Sequence, residues 1–83
     1  MVEAFVLVQT EVGKAGPIAA RITGVDGVIS ADEVVGGYDV IVRATAENDP
    51  DLARTINAIQ QVEGITRTLT CQLTSGLASI GPA

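Results

Sequence analysis

The side chains that usually carry catalysis are scarce in this chain. It has no histidine and one cysteine, Cys71. Nucleophile–base pairs of the Ser-His or Cys-His kind are therefore absent, as are Cys/His zinc sites and disulfide frameworks within one chain. Asp32-Glu33 could pair as metal ligands or as acid and base, but neighbouring residues of a strand point to opposite faces. Glu47, Asp49 and Asp51 resemble a cation loop only superficially; the EF-hand spacing is missing and helix capping accounts for them. No glycine-rich phosphate loop follows a strand. What remains is a binding chemistry, in Val34-Val35-Gly36-Gly37-Tyr38-Asp39-Val40-Ile41-Val42. Two apolar β-branched runs flank the paired glycines, which reads as a tight reversal between two strands. A tip without side chains leaves backbone N–H groups approachable, and Asp39 stands at the mouth of the second strand. Bare donors beside a fixed carboxylate suit a zwitterion: donors for its carboxylate, Asp39 for its ammonium. A plain hairpin with a surface aspartate is the alternative reading.

The elements that must position this tip follow from periodicity. Val2 to Thr10 is a strand, apolar at every position from Ala4 to Val8, as a strand covered on both faces would be. Glu11 to Gly16 is a loop, and Pro17 fits the first turn of a helix carrying Ile18, Ile22 and Val25, closed by Gly24 or Gly27. Val28 to Val35 is a second strand with a polar middle, expected at an edge. Tyr38 to Ala46 is the third. Asn48, Asp49 and Pro50 start a second helix with the stripe Leu52, Ile56 and Ile59, ended by Gly64. Ile65 to Leu73 is the fourth strand, with Leu69, Cys71 and Leu73 on one face and Thr66, Thr68, Thr70 and Gln72 on the other. Cys71 among leucines is expected to be a small buried hydrophobe.

One phrase occurs twice: Ile22-x-x-Val25-Asp26-Gly27-Val28 and Ile59-x-x-Val62-Glu63-Gly64-Ile65. The chain thus divides into two strand–helix–strand halves. That order predicts an α+β fold of the ferredoxin-like βαββαβ type: a four-stranded antiparallel sheet with two helices on one face. Residues 1–74 form the domain and 75–83, rich in Gly, Ser and Ala, a loose tail.

Composition bounds the partners. A chain of 83 residues that is 47% hydrophobic, with mean hydropathy +0.39, has much aliphatic surface for a small core. Domains of this size bury only about 60% of their unfolded surface, so part of the apolar surface is expected in a subunit interface. The net charge is −5 and the five basic residues are scattered. No basic stripe exists to neutralise phosphates, so direct nucleic-acid binding and anionic membranes are disfavoured. No run long enough to span a bilayer and no secretory signal is visible, so a cytoplasmic protein is the expectation.

At this point a resemblance enters. The opening strand Ala4-Phe5-Val6-Leu7-Val8, the turn Val25-Asp26-Gly27-Val28, the segment Val35-Gly36-Gly37-Tyr38-Asp39, and Val62-Glu63-Gly64-Ile65 followed by Thr66-Arg67-Thr68 resemble the effector-binding (RAM) domain of Lrp/AsnC-type transcriptional regulators. The likeness runs from about residue 3 to 74, and the Gly-x-Tyr-Asp segment is its most specific piece. It implies a stand-alone form, since the helix-turn-helix half that precedes the domain in such regulators is not seen before the first strand. It also implies dimers packed sheet to sheet in the manner of dimeric α/β-barrel proteins, rings such as octamers, and an amino acid or related effector bound between dimers. By that likeness Gly36 and Gly37 offer backbone donors beside Tyr38, Asp39 holds the amino group, and Thr68 and Thr70 lie near the carboxylate.

Three readings follow. The first is an amino-acid-sensing module that oligomerises and acts on transcription through full-length regulators. The second is a small dimeric α/β-barrel enzyme, an oxygenase or isomerase; the lack of histidine and of aromatics other than Phe5 and Tyr38 weighs against it. The third is a purely structural oligomer. The first is the expectation, with no catalytic residue, no metal and no cofactor.

Overall fold

The computed structural model describes residues 1–74; the expected tail, 75–83, lies outside the described residues. The elements are β1 (Val2–Thr10), α1 (Ala15–Ile22), β2 (Val28–Glu33), β3 (Val40–Ala46), α2 (Asp49–Gln60) and β4 (Ile65–Gln72). All neighbouring strands are antiparallel and the sheet order is β2-β3-β1-β4. This is the ferredoxin-like arrangement predicted from the βαββαβ order. The polar strand β2 is indeed an edge, and the apolar β1 is central.

Local chemistry explains the helices. Asn48 is the N-cap of α2: its side-chain oxygen accepts the Asp51 N–H at 2.9 Å, with proline in the first positions and Asp49 and Asp51 in the first turn. That satisfies an orphan donor and places negative charge against the positive end of the helix dipole. Helix α1 is shorter and begins two residues before Pro17, which still falls in its first turn.

The core lies between the helices and one sheet face. Ala4, Val6 and Val8 of β1 and Val40, Val42 and Ala44 of β3 are fully buried under Ile18, Ile22, Leu52 and Ile59. Each large aliphatic side chain so buried contributes about 1.5–3 kcal/mol.

The repeated phrase is a repeated structure. Ile22 and Ile59 are both 0% exposed. Val25 N–H donates to Ile22 O at 3.0 Å and Val62 N–H to Ile59 O at 3.1 Å. The glycines that follow have φ of +95° at Gly27 and +99° at Gly64, a region costly for residues with a Cβ. Each half is then stapled to the other. Thr45 N–H, in the second half, donates to Gly27 O at 2.8 Å, and Glu11 N–H, in the first, donates to Gly64 O at 2.9 Å.

Two local expectations change. The Gly36-Gly37 reversal is not tight: β2 ends at Glu33 and β3 begins at Val40, so residues 34–39 form the connection. It is closed by Val34 N–H donating to Asp39 O at 2.9 Å, and Gly36 has a nearly extended φ of 159°. The apolar run Val34-Val35 made both strands look longer than they are. Second, Cys71 is exposed in the single chain, not buried. The cause is the orientation of β4. Thr68 pairs with Val8 and Thr70 with Val6, so the threonines share the helix-covered side. Gln60 Nε2 donates to Thr68 Oγ1 at 3.2 Å from α2. Leu69, Cys71 and Leu73 instead share the uncovered side with Phe5 and Leu7. That uncovered side is not uniformly apolar. Arg43 Nε pairs with Glu3 Oε2 at 2.6 Å, and the Arg43 guanidinium lies 6.0 Å from the Phe5 ring centroid.

Candidate functional site

The connection 34–39 is held by β1. Asp39 N–H donates to Val8 O at 2.9 Å, which extends the β1–β3 pairing beyond the strand. The Asp39 carboxylate accepts the Thr10 N–H through Oδ2 at 2.9 Å, with Thr10 Oγ1 at 3.5 Å from the same oxygen. Gln9 Nε2 donates to Gly37 O at 2.9 Å. The last residues of β1 therefore fix both the carboxylate and the glycine tip. A charge-assisted bond from a backbone N–H keeps Asp39 at a defined position beside the end of β1. Its Oδ1 makes no hydrogen bond among the described residues and is open to a donor.

The tip itself is bare. A Cβ placed on Gly36 or Gly37 would meet no heavy atom within 4 Å. Val35 is fully exposed, while Tyr38 and Asp39 are partly buried. The sequence-predicted residues Gly36, Gly37, Tyr38 and Asp39 are thus contiguous at one end of the sheet. Thr68 and Thr70 are not gathered there. Thr68 lies in the same cross-strand row as Val40, the residue after Asp39, with β1 between them, and its hydroxyl already meets Gln60. Thr70 is further along β4, opposite Val6. Two strand spacings separate β3 from β4, about 10 Å.

Sequence reasoning missed Gln9 and Thr10 as the anchors of the tip. Their one signal was the break from the unbroken apolar run of β1 to polar residues. Among the described residues, no group of three or more His, Cys, Asp or Glu is placed to hold a metal ion. No helix of the described residues is long and apolar enough to cross a membrane.

Several known proteins of similar sequence or shape are transcriptional regulators. The HTH-type transcriptional regulator FL11 of Pyrococcus furiosus is 25% identical over 67 residues, covering 81% of this chain and 44% of its own. The chain thus spans less than half the length of that curated relative. The homocitrate synthase of Sulfolobus acidocaldarius is 34% identical over 53 residues, 64% of this chain but only 11% of the enzyme. Among solved structures, FFRP-DM1 superposes with a TM-score of 0.83 at 31% identity, covering 89% of this chain and 100% of its own. A transcriptional regulator from Neisseria meningitidis, solved as an L-Met complex, shares the fold with a TM-score of 0.76 at 15% identity, covering 92% of this chain and 51% of its own. The family described as the Lrp/AsnC ligand binding domain matches residues 3–77. With a match over nearly its whole length, the chain belongs to the Lrp/AsnC ligand-binding domain family.

Proposed function

We propose that this domain binds a free amino acid at the glycine tip, in an oligomer, and acts on transcription. The observation that carries the reading is the family match over residues 3–77 together with an open tip beside an anchored carboxylate. Gly36 and Gly37 offer backbone N–H groups to the ligand's carboxylate; Asp39 Oδ1 accepts its ammonium; Tyr38 flanks them. In one chain Thr68 and Thr70 stand apart from the tip, so they reach the ligand only through a neighbouring copy. The L-Met bound by the Neisseria regulator supports an amino acid as the class of effector.

The uncovered sheet face supports assembly. Leu69 is 47% and Leu73 41% exposed, and Phe5 and Leu7 lie beside them. A second copy packed sheet to sheet removes this strip from water, and dimers arranged in a ring such as an octamer bring the tips together. Full-length regulators of the same family are the natural partners for an effect on DNA. An acidic chain with net charge −5 has no phosphate-binding stripe of its own. A cytoplasmic, non-enzymatic role fits this reading. The homocitrate synthase match covers so little of that enzyme that it fits a module shared between proteins better than shared catalysis.

The test is a thermal-shift screen with the twenty amino acids, then calorimetric titration of the best one. Ligand at a hundred times its dissociation constant stabilises the folded state by about 2.7 kcal/mol. A carboxylate–ammonium bond contributes about 1.5–3 kcal/mol, so Asp39→Asn lowers affinity by about tenfold to a hundredfold. Equal affinities would remove Asp39 from the site.

A further inference from the structure

The internal repeat places one surface cleft in each half, at matching positions. The relation that carries Ile22 onto Ile59 also carries Lys14 onto Asp51, Pro17 onto Arg54, Ile18 onto Thr55 and Arg21 onto Ala58, and Asp26 onto Glu63. One cleft is lined by Asp26, Asp51, Arg54, Thr55 and Ala58. The other, about 240 Å³, is lined by Lys14, Pro17, Ile18, Arg21 and Glu63, with Glu11 and Gly64 completing the rim.

The first of these serves as an internal control for the second. In it the one cation is paired, although the Asp26 carboxylate makes no hydrogen bond among the described residues. Arg54 Nη2 pairs with Asp51 Oδ1 at 2.9 Å, and Thr55 Oγ1 donates to Asp26 O at 3.0 Å. In the second, Lys14, Arg21, Glu11 and Glu63 face one space and none of them closes on another. The ion pairs among the described residues are Glu3–Arg43 and Asp51–Arg54 alone. The same architectural position therefore has its cation paired within one helix in one half and separated opposite charges in the other.

Its walls are fixed by backbone. Glu11 N–H donates to Gly64 O at 2.9 Å and Lys14 N–H to Glu11 O at 3.0 Å. Gly64 lies against the floor: a Cβ on it would stand 2.7 Å from Ile18 Cδ1. Walls held in this way lose little freedom when a ligand arrives, which lowers the cost of binding. The charged lining is neutral in sum, with two cations and two anions. A simple anion or cation entering it meets attraction and repulsion together. A molecule carrying both charges can direct each to its opposite, and Pro17 and Ile18 offer a short apolar surface.

We propose that this cleft, on the helix side and distinct from the glycine tip, binds a small dipolar ion. Its carboxylate points to Lys14 and Arg21 and its ammonium to Glu11 and Glu63, with a short alkyl group over Ile18. The test is an amide-resolved NMR titration of the intact protein with L-valine, N-acetyl-L-valine and L-valine amide. These probes carry both charges, the negative charge only, and the positive charge only. L-valine alone should give saturable shifts at Glu11, Lys14, Arg21 and Gly64. Lys14→Gln/Arg21→Gln should weaken them at least tenfold, and Asp39→Asn should leave them unchanged. Both substituted residues are exposed, so the fold should persist; if the double variant does not fold, Glu63→Gln is held to the same tenfold criterion. Shifts confined to residues 36–39 would overturn this cleft while supporting the tip as a site. Equal responses to all three probes, or no response at residues 11–21 and 63–64, would also overturn it.

Discussion

Gly27 and Gly64 stand in equivalent places with nearly equal φ, +95° and +99°, so alanine at each position separates conformational strain from packing. A residue with a Cβ in this region costs roughly 1–2 kcal/mol, the same for both. Their surroundings differ. At Gly64 the new methyl meets the Cδ1 end of Ile18 at 2.7 Å, a side-chain terminus that can shift. At Gly27 it meets Thr55 Oγ1 at 2.6 Å and the Thr45 carbonyl at 3.1 Å. That carbonyl belongs to β3, whose adjoining N–H is bonded to Gly27 O, so it has little room to move. Thr55 must turn away and release its hydrogen bond to Asp26 O. Losing such a bond costs about 1 kcal/mol. Gly64→Ala should therefore destabilise by about 1–2 kcal/mol and Gly27→Ala by about 2–3 kcal/mol. For a domain of this size each kcal/mol moves the midpoint by about 4–8 °C. Scanning calorimetry at one fixed protein concentration reads the difference, since assembly shifts apparent stability. A Gly64→Ala loss equal to or greater than the Gly27→Ala loss would refute the packing argument, and a gain at either site would refute the strain.

Three further outcomes follow from the same structure. Asn48→Ala should cost about 1 kcal/mol in urea unfolding, and Asn48→Asp should restore most of it, because the cap accepts the Asp51 N–H. Phe5→Asp or Leu69→Arg should reduce the particle mass seen by light scattering, since either places an unpaired charge in the uncovered apolar strip; an unchanged mass would remove that strip from the interface. The purified domain should give no mobility shift with duplex DNA at physiological salt, as its net charge is −5.

Periodicity made most of the fold legible. The unbroken apolar run of β1, the stripe Leu52-Ile56-Ile59 and the Asn48-Asp49-Pro50 start each rest on near-neighbour rules, and each matches an element. The twice-used phrase at Ile22 and Ile59 marks both halves in the sequence. What alternation could not supply was direction. In β4 the leucines and the threonines alternate cleanly, but which set meets the helices depends on register against β1. Apolar residues are expected inside, which puts Cys71 in the core; the threonines instead lie on the helix side of the sheet, with Thr68 partly buried. The tip was visible as glycines beside an aspartate. Its anchors were less so: Gln9 shows only as the polar end of β1's apolar run, and the Thr10 N–H that holds Asp39 is a backbone group that leaves no mark in the side-chain sequence.

The strand order β2-β3-β1-β4 bears on how the chain can be divided. Neither half contains two strands that are neighbours in the sheet: β1 and β2 are separated by β3, and β3 and β4 by β1. A cut between Gly36 and Gly37 thus yields two fragments, neither able to form a sheet by itself. Mixed together, each supplies the strand that the other lacks, and the Gly27–Thr45 and Gly64–Glu11 staples cross the cut. Fragment complementation at this point is a bimolecular copy of the folding reaction. Leu73 N–H donates to Glu3 O at 2.8 Å, so the chain also passes close to its own beginning. A short peptide joining that region back to β1, with new ends opened at the glycine tip, would give a circularly permuted chain running β3-α2-β4-β1-α1-β2. The repeat makes that order a near image of the original.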